Sequence, residues 1–278
     1  MDGSYRGAMT DPYLADRFVA RHHGATPLKI PNAWESGSAK LLASLGFQTL
    51  ATTSSGHAAT LGQHDGSVTR AEALAHAEAM TAAVDVPISA DLEHGFADDP
   101  AGVAETVRLA LQTGLAGCSI EDSTGNADSP IYDVALAAER VAAAADAAHT
   151  GPVRLVLTAR AENYLHGRPD LGDTIARLQH FSAAGADVLY APGLSTLDDI
   201  RTVISEVDRP VNVIARPGAP TVQQLADVGA ARISVGGAFA WVALAAVVDA
   251  ARELLDEGTY GFLDRVSAGR EVARAAFT

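Results

Sequence analysis

The sequence predicts a (β/α)8 barrel, and three observations lead to this fold class. Short apolar runs alternate with longer Ala-rich runs, which is typical of βα units and a parallel sheet. Eight such pairs fit into roughly 230 residues, a size usual for one barrel domain. No GxGxxG motif follows the first strand, which disfavours a doubly wound nucleotide-binding sheet. We therefore expect residues 1–278 to form a single barrel domain.

Each predicted strand is followed by a predicted helix. The strands are Leu28–Asn32, Gln48–Thr53, Pro87–Glu93, Gly117–Glu121, Arg154–Arg160, Val188–Ala191, Val211–Ala215 and Arg232–Val235. The helices are Ser36–Leu45, Arg70–Val84, Asp99–Gln112, Ile131–Ala148, Asp173–Ala184, Leu197–Glu206, Thr221–Val228 and Phe239–Glu257. Glycine follows several of them, as in SLGF and AAGAD, where a left-handed residue ends a helix. A short helical extension precedes the barrel, with Tyr13–His22 as a candidate lid, and Phe262–Ala276 follows it.

The charge balance limits the partners that the protein can bind. With 34 acidic and 20 basic residues the net charge is −14, which disfavours nucleic acid because no local basic patch offsets it. No uninterrupted apolar run reaches the roughly 18 residues of a membrane helix, so we expect no membrane partner. The first residues lack the apolar stretch of a signal peptide, so we expect a cytoplasmic protein.

Cysteine and lysine are too scarce for some kinds of chemistry. Cys118 is the only cysteine, which excludes an internal disulfide and a CxxC zinc site. The two lysines, Lys29 and Lys40, do not end a predicted strand. Because Schiff-base catalysis needs a lysine in the site, that mechanism is disfavoured.

Charged side chains stand at the ends of adjacent predicted strands, where the active sites of such barrels lie. The third strand ends in Asp91 and Glu93, which are two residues apart and so lie on one side of it. The fourth ends in Glu121 and the fifth in Arg160. Neighbouring carboxylates repel one another unless a cation lies between them, and oxygen ligands suit Mg²⁺ or Mn²⁺. The alternative is that these acids form ordinary ion pairs or cap the following helices.

Other polar candidates have two interpretations each. The TTSSG run at residues 52–56 offers hydroxyl and N–H groups that suit a carboxylate or a phosphate. His57 and His94 are candidates for proton transfer, but a hydrogen bond to a neighbouring loop explains each at least as well. Tyr190 points either into the barrel mouth or into the core. SVGGAF and ARPGAP suit a phosphate site, although glycines also serve tight turns.

Four segments together resemble the isocitrate lyase/phosphoenolpyruvate mutase superfamily. They are KIPNAWESGSAKLLASLGFQTLATTSSGHAATLGQHDG, ISADLEHGF, GCSIEDS and LTARAEN, and the resemblance extends from about Leu28 to Leu255. It implies a barrel whose last helix is exchanged with a partner subunit, usually in a dimer of dimers. It also implies Mg²⁺ and a C–C or P–C bond made or broken beside a 2-oxo or 2-hydroxy carboxylate.

The resemblance also implies roles for individual residues. Asp91, Glu93 and Glu121 match the family's metal-binding acids, with Glu93 in place of a usual aspartate. Arg160 matches the arginine that clamps the substrate, and Asp65 an aspartate near the water shell of the metal. We take Arg160 and Asp65 as the catalytic candidates. The substrate-binding candidates are Thr53, Ser54, Ser55, Arg160 and Asn212.

The chain departs from the family after the fourth strand. The lyases with a catalytic cysteine carry K-[KR]-C-G-H there, and the mutases carry a lysine-containing loop, whereas this chain has EDSTGNADSPIYD. Cys118 precedes Glu121 inside the strand and is interpreted as a core residue. Cysteine-dependent cleavage of isocitrate or 2-methylisocitrate is therefore not expected. We expect STGNADSPIYD to be a mobile lid.

We therefore expect a Mg²⁺-dependent enzyme for a small 2-oxo or 2-hydroxy carboxylate, acting as a C–C lyase or decarboxylase through a metal-stabilised enolate. One alternative is P–C chemistry on phosphonopyruvate, and another is a barrel that binds a metabolite without turnover. The helix Phe239–Leu255 is apolar nearly all round, which predicts that it packs against another subunit in a dimer or tetramer.

Overall fold

The computed structural model describes residues 13–277, in which nine short parallel strands form one closed sheet. The strands are β1 (Leu28–Ile30), β2 (Asn32–Ala33), β3 (Leu50–Thr52), β4 (Ile88–Asp91), β5 (Gly117–Glu121), β6 (Val156–Arg160), β7 (Val188–Tyr190), β8 (Val211–Ile214) and β9 (Arg232–Ser234). The predicted (β/α)8 barrel is confirmed. The predicted absence of a signal peptide concerns residues 1–12, which lie outside the described residues.

Closure of the barrel depends on its first strand. β1 pairs with β9, and β2 pairs with β3, so together they form one barrel strand interrupted at Pro31. Proline has no N–H to donate, which interrupts the ladder, but its carbonyl oxygen accepts from the Ala51 N–H at 2.9 Å. The two halves therefore join the ends of the sheet.

Helices alternate with these strands around the barrel. They are α1 (Leu14–Arg21), α2 (Ser36–Ser44), α3 (Ser54–Thr60), α4 (Arg70–Thr81), α5 (Pro100–Ala110), α6 (Val134–His149), α7 (Leu171–Ala183), α8 (Leu197–Ser205), α9 (Val222–Asp227), α10 (Ala238–Arg252) and α11 (Val266–Ala276). Reciprocal capping boxes start α4, at Thr69 and Glu72, and α9, at Thr221 and Gln224. The sequence interpretation missed α3, because its TTSSG start reads as a loop.

Helix α1 closes the bottom of the barrel, so its interpretation as a candidate lid is wrong. Phe18 is fully buried and clusters with Ala116, Val156 and Val188, which lie where strands begin. A Cβ at Gly117 would lie 3.0 Å from the Phe18 ring and 2.7 Å from the Val156 carbonyl oxygen. Only glycine at this position lets the ring pack so closely. Because α1 covers the end of the barrel where the strands begin, the candidate site is to be sought at the other end, where the strands end.

Helix α10 leaves most of its apolar side chains exposed, while α11 packs against α2. The exposed apolar residues of α10 and the turn after it are Trp241, Val242, Leu244, Val247, Val248, Leu254 and Leu255. Exchange of this helix between subunits stays a prediction. Along residues 13–277, no helix combines the length and the apolar character needed to cross a membrane.

Candidate active site

Arg160 stands at the centre of an ion-pair cluster at the carboxyl ends of β4, β5 and β6. Its Nη1 contacts Asp91 at 2.9 Å, its Nη2 contacts Glu121 at 3.0 Å, and its Nε contacts Glu162 at 2.8 Å. The parallel register places Glu121 beside Arg160, and Asp91 lies one strand further along. The structure thus brings together three of the residues predicted to form the site. Sequence reasoning assigned no role to Glu162.

The electrostatics of this cluster are those of buried acids that share one cation. Burial raises the pKa of Glu121 well above its ordinary value, and Arg160 only partly offsets that effect. Burial, Asp91 and Asp65 together raise the pKa of Glu93 to about 7. Burial also opposes the charge of Arg160, but the carboxylates of Glu121, Glu162 and Asp91 raise its pKa, so it stays protonated.

The turn after β4 holds Glu93 in an unusual backbone conformation. Glu93 has φ 50° and Phe96 has φ 56°, both in the left-handed region that non-glycine residues rarely adopt. Arg140 supports this turn from below, because its Nη1 donates to the carbonyl oxygens of Ala97 at 2.5 Å and Asp98 at 2.6 Å. The buried guanidinium therefore fixes the segment that carries Glu93.

Thr53, Ser54 and Ser55, the predicted substrate-binding residues with hydroxyl side chains, lie beside the Arg160 cluster. The Ser54 hydroxyl donates to Asp91 Oδ2 at 3.1 Å. Thr53 accepts from the N–H of Gly56 and lies 3.1 Å from the Ser55 hydroxyl. These residues therefore form hydrogen bonds with one another, with the first turn of α3 and with Asp91. They also face the barrel mouth.

Two cavities flank Arg160 and share Ser54, Asp65, Arg160 and Leu165. The acidic cavity, of about 370 Å³, has polar walls formed by Asp65, Glu93, His94, Glu121, Glu162 and His166. The inner cavity, of about 270 Å³, reaches down into the barrel, where its polar walls are formed by Asn32, Thr52, Ser89, Ser119, Tyr190, Asn212, Arg232 and Ser234. Barrel interiors are usually filled by bulky branched side chains, so this lining leaves room for a ligand.

The carboxylate oxygens of these acids are suitable ligands for a divalent cation, but their side chains are not arranged as a preformed metal site. Within residues 13–277, no group of three or more His, Cys, Asp or Glu side chains is arranged to hold a metal ion. The guanidinium of Arg160 bridges Asp91 and Glu121, two of the three predicted ligands. Asp91 nevertheless raises the pKa of both Glu93 and Glu121, although burial is the larger cause. A divalent cation in the acidic cavity would relieve that repulsion.

Asn212 lies in the inner cavity wall, with both ends of its amide engaged. Its Nδ2 donates to the Ser234 hydroxyl at 3.0 Å, and its Oδ1 accepts from Arg232 Nε at 2.8 Å. Sequence reasoning missed Arg232. The available signal was a charged residue inside a predicted parallel strand, two positions before Ser234 and therefore on the same side.

The remaining sequence candidates have structural contacts of their own. His57 stacks on His76 with ring centroids 3.8 Å apart, and burial lowers the pKa of both. The N–H groups of Val235 and Gly236 donate to Asn32 Oδ1, so this part of the SVGGAF turn is occupied by the protein itself. Cys118 is fully buried, as expected, and burial raises the pKa of its thiol to about 12.

The loop after β5 is only partly what the sequence predicted. Ser123 pairs with Ile131 in an antiparallel bridge, and the Thr124 hydroxyl donates to the Ser129 carbonyl oxygen at 2.6 Å. Ile131 and Tyr132 are buried, and the Tyr132 hydroxyl donates to Asp98. The expectation that the whole segment lies outside the core is therefore wrong at its ends. Lid motion of its exposed tip stays a prediction.

The fold and this site together define a parallel (β/α)8 barrel with charged side chains clustered at the carboxyl ends of its strands. The chain belongs to the phosphoenolpyruvate phosphomutase family, whose model matches residues 18–255. The resemblance to the isocitrate lyase/phosphoenolpyruvate mutase superfamily is thereby confirmed.

Individual relatives extend this finding. The crystal structure of a provisionally named lyase/mutase from Burkholderia cenocepacia J2315 has a TM-score of 0.91 and 49% identity, covering 95% of each chain. Oxaloacetate decarboxylase of Paraburkholderia xenovorans is 31% identical over 192 residues, which is 66% of this chain and 62% of that protein. 2-Methylisocitrate lyase of Halalkalibacterium halodurans is 26% identical over 205 residues, 71% of this chain and 66% of that protein.

Proposed function

We propose that this protein is a Mg²⁺-dependent enzyme that cleaves a C–C bond of a small 2-oxo or 2-hydroxy carboxylate, as a lyase or decarboxylase. The observation that carries the proposal is the Arg160 cluster between two cavities, an acidic one and an inner one whose lining combines neutral polar groups with acidic and basic side chains. Ligand cavities for drug-sized molecules span roughly 300–1,000 Å³. The smaller inner cavity suits an acid of a few carbon atoms.

The acids and Arg160 have separate tasks in this proposal. Asp91, Glu93 and Glu121 would hold Mg²⁺, which supplies positive charge for the carbonyl oxygen as negative charge develops there. Three of the five N–H groups of Arg160 contact carboxylates, which leaves one on Nη1 and one on Nη2 to bind a substrate oxygen. Because its carboxylate partners fix the guanidinium plane, the substrate meets a preorganised donor.

Tyr190 and the hydroxyl residues complete the binding surface. Tyr190 lies under the Arg160 guanidinium, whose carbon is 5.3 Å from the ring centroid. Burial raises the pKa of its phenol, so it stays neutral and can donate a hydrogen bond rather than carry charge. Thr53, Ser54 and Ser55 would orient a substrate carboxylate from the opposite side of the inner cavity.

A panel of acids with Mg²⁺, read by mass spectrometry, tests the proposal. Oxaloacetate, 2-methylisocitrate, 2,3-dimethylmalate and phosphonopyruvate distinguish decarboxylation, C–C cleavage and P–C chemistry. We expect turnover of one C–C substrate that is lost on chelation and falls at least 100-fold in Arg160→Lys, which keeps the charge but loses the planar fork. The matched control is Arg201→Lys, because Arg201 is exposed and pairs with Asp198 at the surface. Binding without any product would support the metabolite-binding alternative instead.

We also propose that the protein is a homo-oligomer in which α10 packs against another copy of the chain. Trp241, Val242 and Val247 are each at least half exposed, on a helix of which only Ala240 is buried. Apolar surface of this extent on one helix is unfavourable in water and marks an interaction surface.

A further inference from the structure

Arg232 is a buried cation whose hydrogen-bond partners are all neutral. Its side chain projects from β9 into the barrel, and the residue is 5% exposed. Nε donates to Asn212 Oδ1 at 2.8 Å, and Nη1 donates to the Thr158 hydroxyl at 3.1 Å. Nη1 also lies 3.5 Å from His22 Nε2. Among residues 13–277, no carboxylate lies within salt-bridge distance of this guanidinium.

The contact with His22 does not supply negative charge. His22 Nδ1 lies 2.9 Å from the Phe18 carbonyl oxygen and donates its hydrogen there, so Nε2 presents a lone pair to Arg232. Burial and the neighbouring Arg232 lower the pKa of His22 to about 3, so the ring is uncharged at neutral pH. Burial lowers the pKa of Arg232 itself to about 10, which still leaves it protonated.

Arg160 and Arg177 are matched with acids, whereas the buried Arg140 donates to backbone carbonyl oxygens of the turn after β4. Arg160 has three carboxylate partners, and Arg177 contacts Asp122 at 3.0 Å and Asp173 at 2.8 Å. A buried charge without a counter-ion opposes folding, because the desolvation of the ion is not offset by a nearby opposite charge. Arg232 therefore leaves an unbalanced positive charge in the wall of the inner cavity, where an anion is stabilised.

The geometry assigns Arg232 the role of binding a second carboxylate of the substrate, at the floor of the inner cavity, so that the site selects dicarboxylates over monocarboxylates. This assignment rests on the proposed function, because it takes the reacting end of the substrate to lie near Arg160. Arg160 and Arg232 both line the inner cavity, and Tyr190 lies close to both. No hydrogen bond to a described residue uses Nη2 of Arg232, which leaves that group to meet the carboxylate.

Arg216 is the competing candidate for the same task. It lies on the exposed loop after β8 and lines the mouth of the inner cavity. Its charge is solvated, so an ion pair there contributes less than one at a desolvated position. The structure therefore favours Arg232, and the two residues are separated by parallel substitutions.

Lactate and malate test the assignment, because they share a 2-hydroxy carboxylate and differ only by the second carboxylate. Their dissociation constants are measured by calorimetry with Mg²⁺ present. We expect the wild type to bind malate at least tenfold more tightly than lactate. Arg232→Gln should remove this preference while changing lactate affinity by less than twofold, and Arg216→Gln should preserve it.

Asn212→Asp supplies a second test that does not depend on the folding of Arg232→Gln. The new carboxylate would lie against Arg232 Nε and neutralise the cation in place, and the Ser234 hydroxyl, which accepts from Asn212 Nδ2, would donate to it instead. We expect a higher melting temperature in the absence of ligand together with loss of the malate preference. A variant that melts lower, or that keeps the preference, contradicts the assignment.

Three further outcomes overturn the assignment. They are equal or undetectable binding of the two acids by the wild type, a preference that survives in folded Arg232→Gln, and a preference abolished by Arg216→Gln. Failure of the proposed function looks different. A protein that prefers malate through Arg232 but turns over no acid in the panel is a dicarboxylate-binding barrel, and only the enzymatic proposal then fails.

Discussion

Replacement of Arg160 by glutamine should reveal how strongly the carboxylate cluster depends on one cation. Arg160→Gln leaves Asp91, Glu121 and Glu162 facing one another in a site where their side chains are 18%, 16% and 4% exposed. Removal of one partner from a buried ion pair typically costs about 3–5 kcal/mol. We expect a loss of this size in the free energy of unfolding at pH 8, measured by urea denaturation.

The loss should depend on pH in a defined direction. Burial raises the pKa of Glu121 in the folded protein, and removal of Arg160 raises it further because the guanidinium lowers it. An acid whose folded pKa exceeds its unfolded value contributes stability below the unfolded pKa, and that contribution is lost as the pH rises through the folded pKa. The variant should therefore be less impaired at pH 5 than at pH 8.

Mg²⁺ and a surface control make the experiment decisive. If the acidic cavity holds Mg²⁺, added Mg²⁺ should restore part of the lost stability at pH 8. Arg201→Gln removes an exposed arginine that pairs with Asp198, so its cost should stay within about 0.5 kcal/mol. An Arg160→Gln loss below about 1 kcal/mol, or equal losses at pH 5 and pH 8, would refute the reasoning.

Three shorter predictions concern the metal, the assembly and the thiol. Asp91→Asn should abolish the stabilisation by Mg²⁺, which reaches about 2.7 kcal/mol at 100 times the dissociation constant; equal Mg²⁺ affinity by calorimetry would contradict the assignment. Val247→Glu should convert an oligomer to monomers in light scattering, whereas Val222→Glu on α9 should not; a monomeric wild type at micromolar concentration rejects the proposal. Turnover should survive thiol alkylation, because Cys118 is fully buried, and alkylation-sensitive cleavage of 2-methylisocitrate would show that this thiol is catalytic.

The barrel was predictable because each βα unit carries its own local signals. The strand Gly117–Glu121 has the bounds that the sequence predicted, and the other strands differ by a few residues at their ends. The exceptions depend on tertiary contacts. Pro31 divides the first strand between two neighbours, and α3 forms where Thr53 accepts from the N–H of Gly56, a cap that a run of small polar residues does not reveal.

The site residues at the ends of strands were predictable from the sequence, whereas those deeper in the barrel were not. Asp91, Glu121 and Arg160 are the last residues of β4, β5 and β6, so topology alone brings them together. Sequence reasoning did not show that Arg160 bridges Asp91 and Glu121 directly, because that contact depends on side-chain conformation. The position of α1 was also missed, since its amphipathic pattern shows that it packs but not against which end of the barrel.

Arg232 shows what a search of strand ends leaves out. It is the first residue of β9, one barrel layer below Ser234, and such interior positions in a parallel barrel are usually apolar. Asn212 and Thr158 accept hydrogen bonds from its Nε and Nη1 but do not balance its charge. Because the strand-end acids pair with Arg160, our proposal assigns the choice between one small acid and another to this deeper guanidinium. Specificity is therefore to be sought in the barrel interior, at a strand position that the family resemblance does not identify.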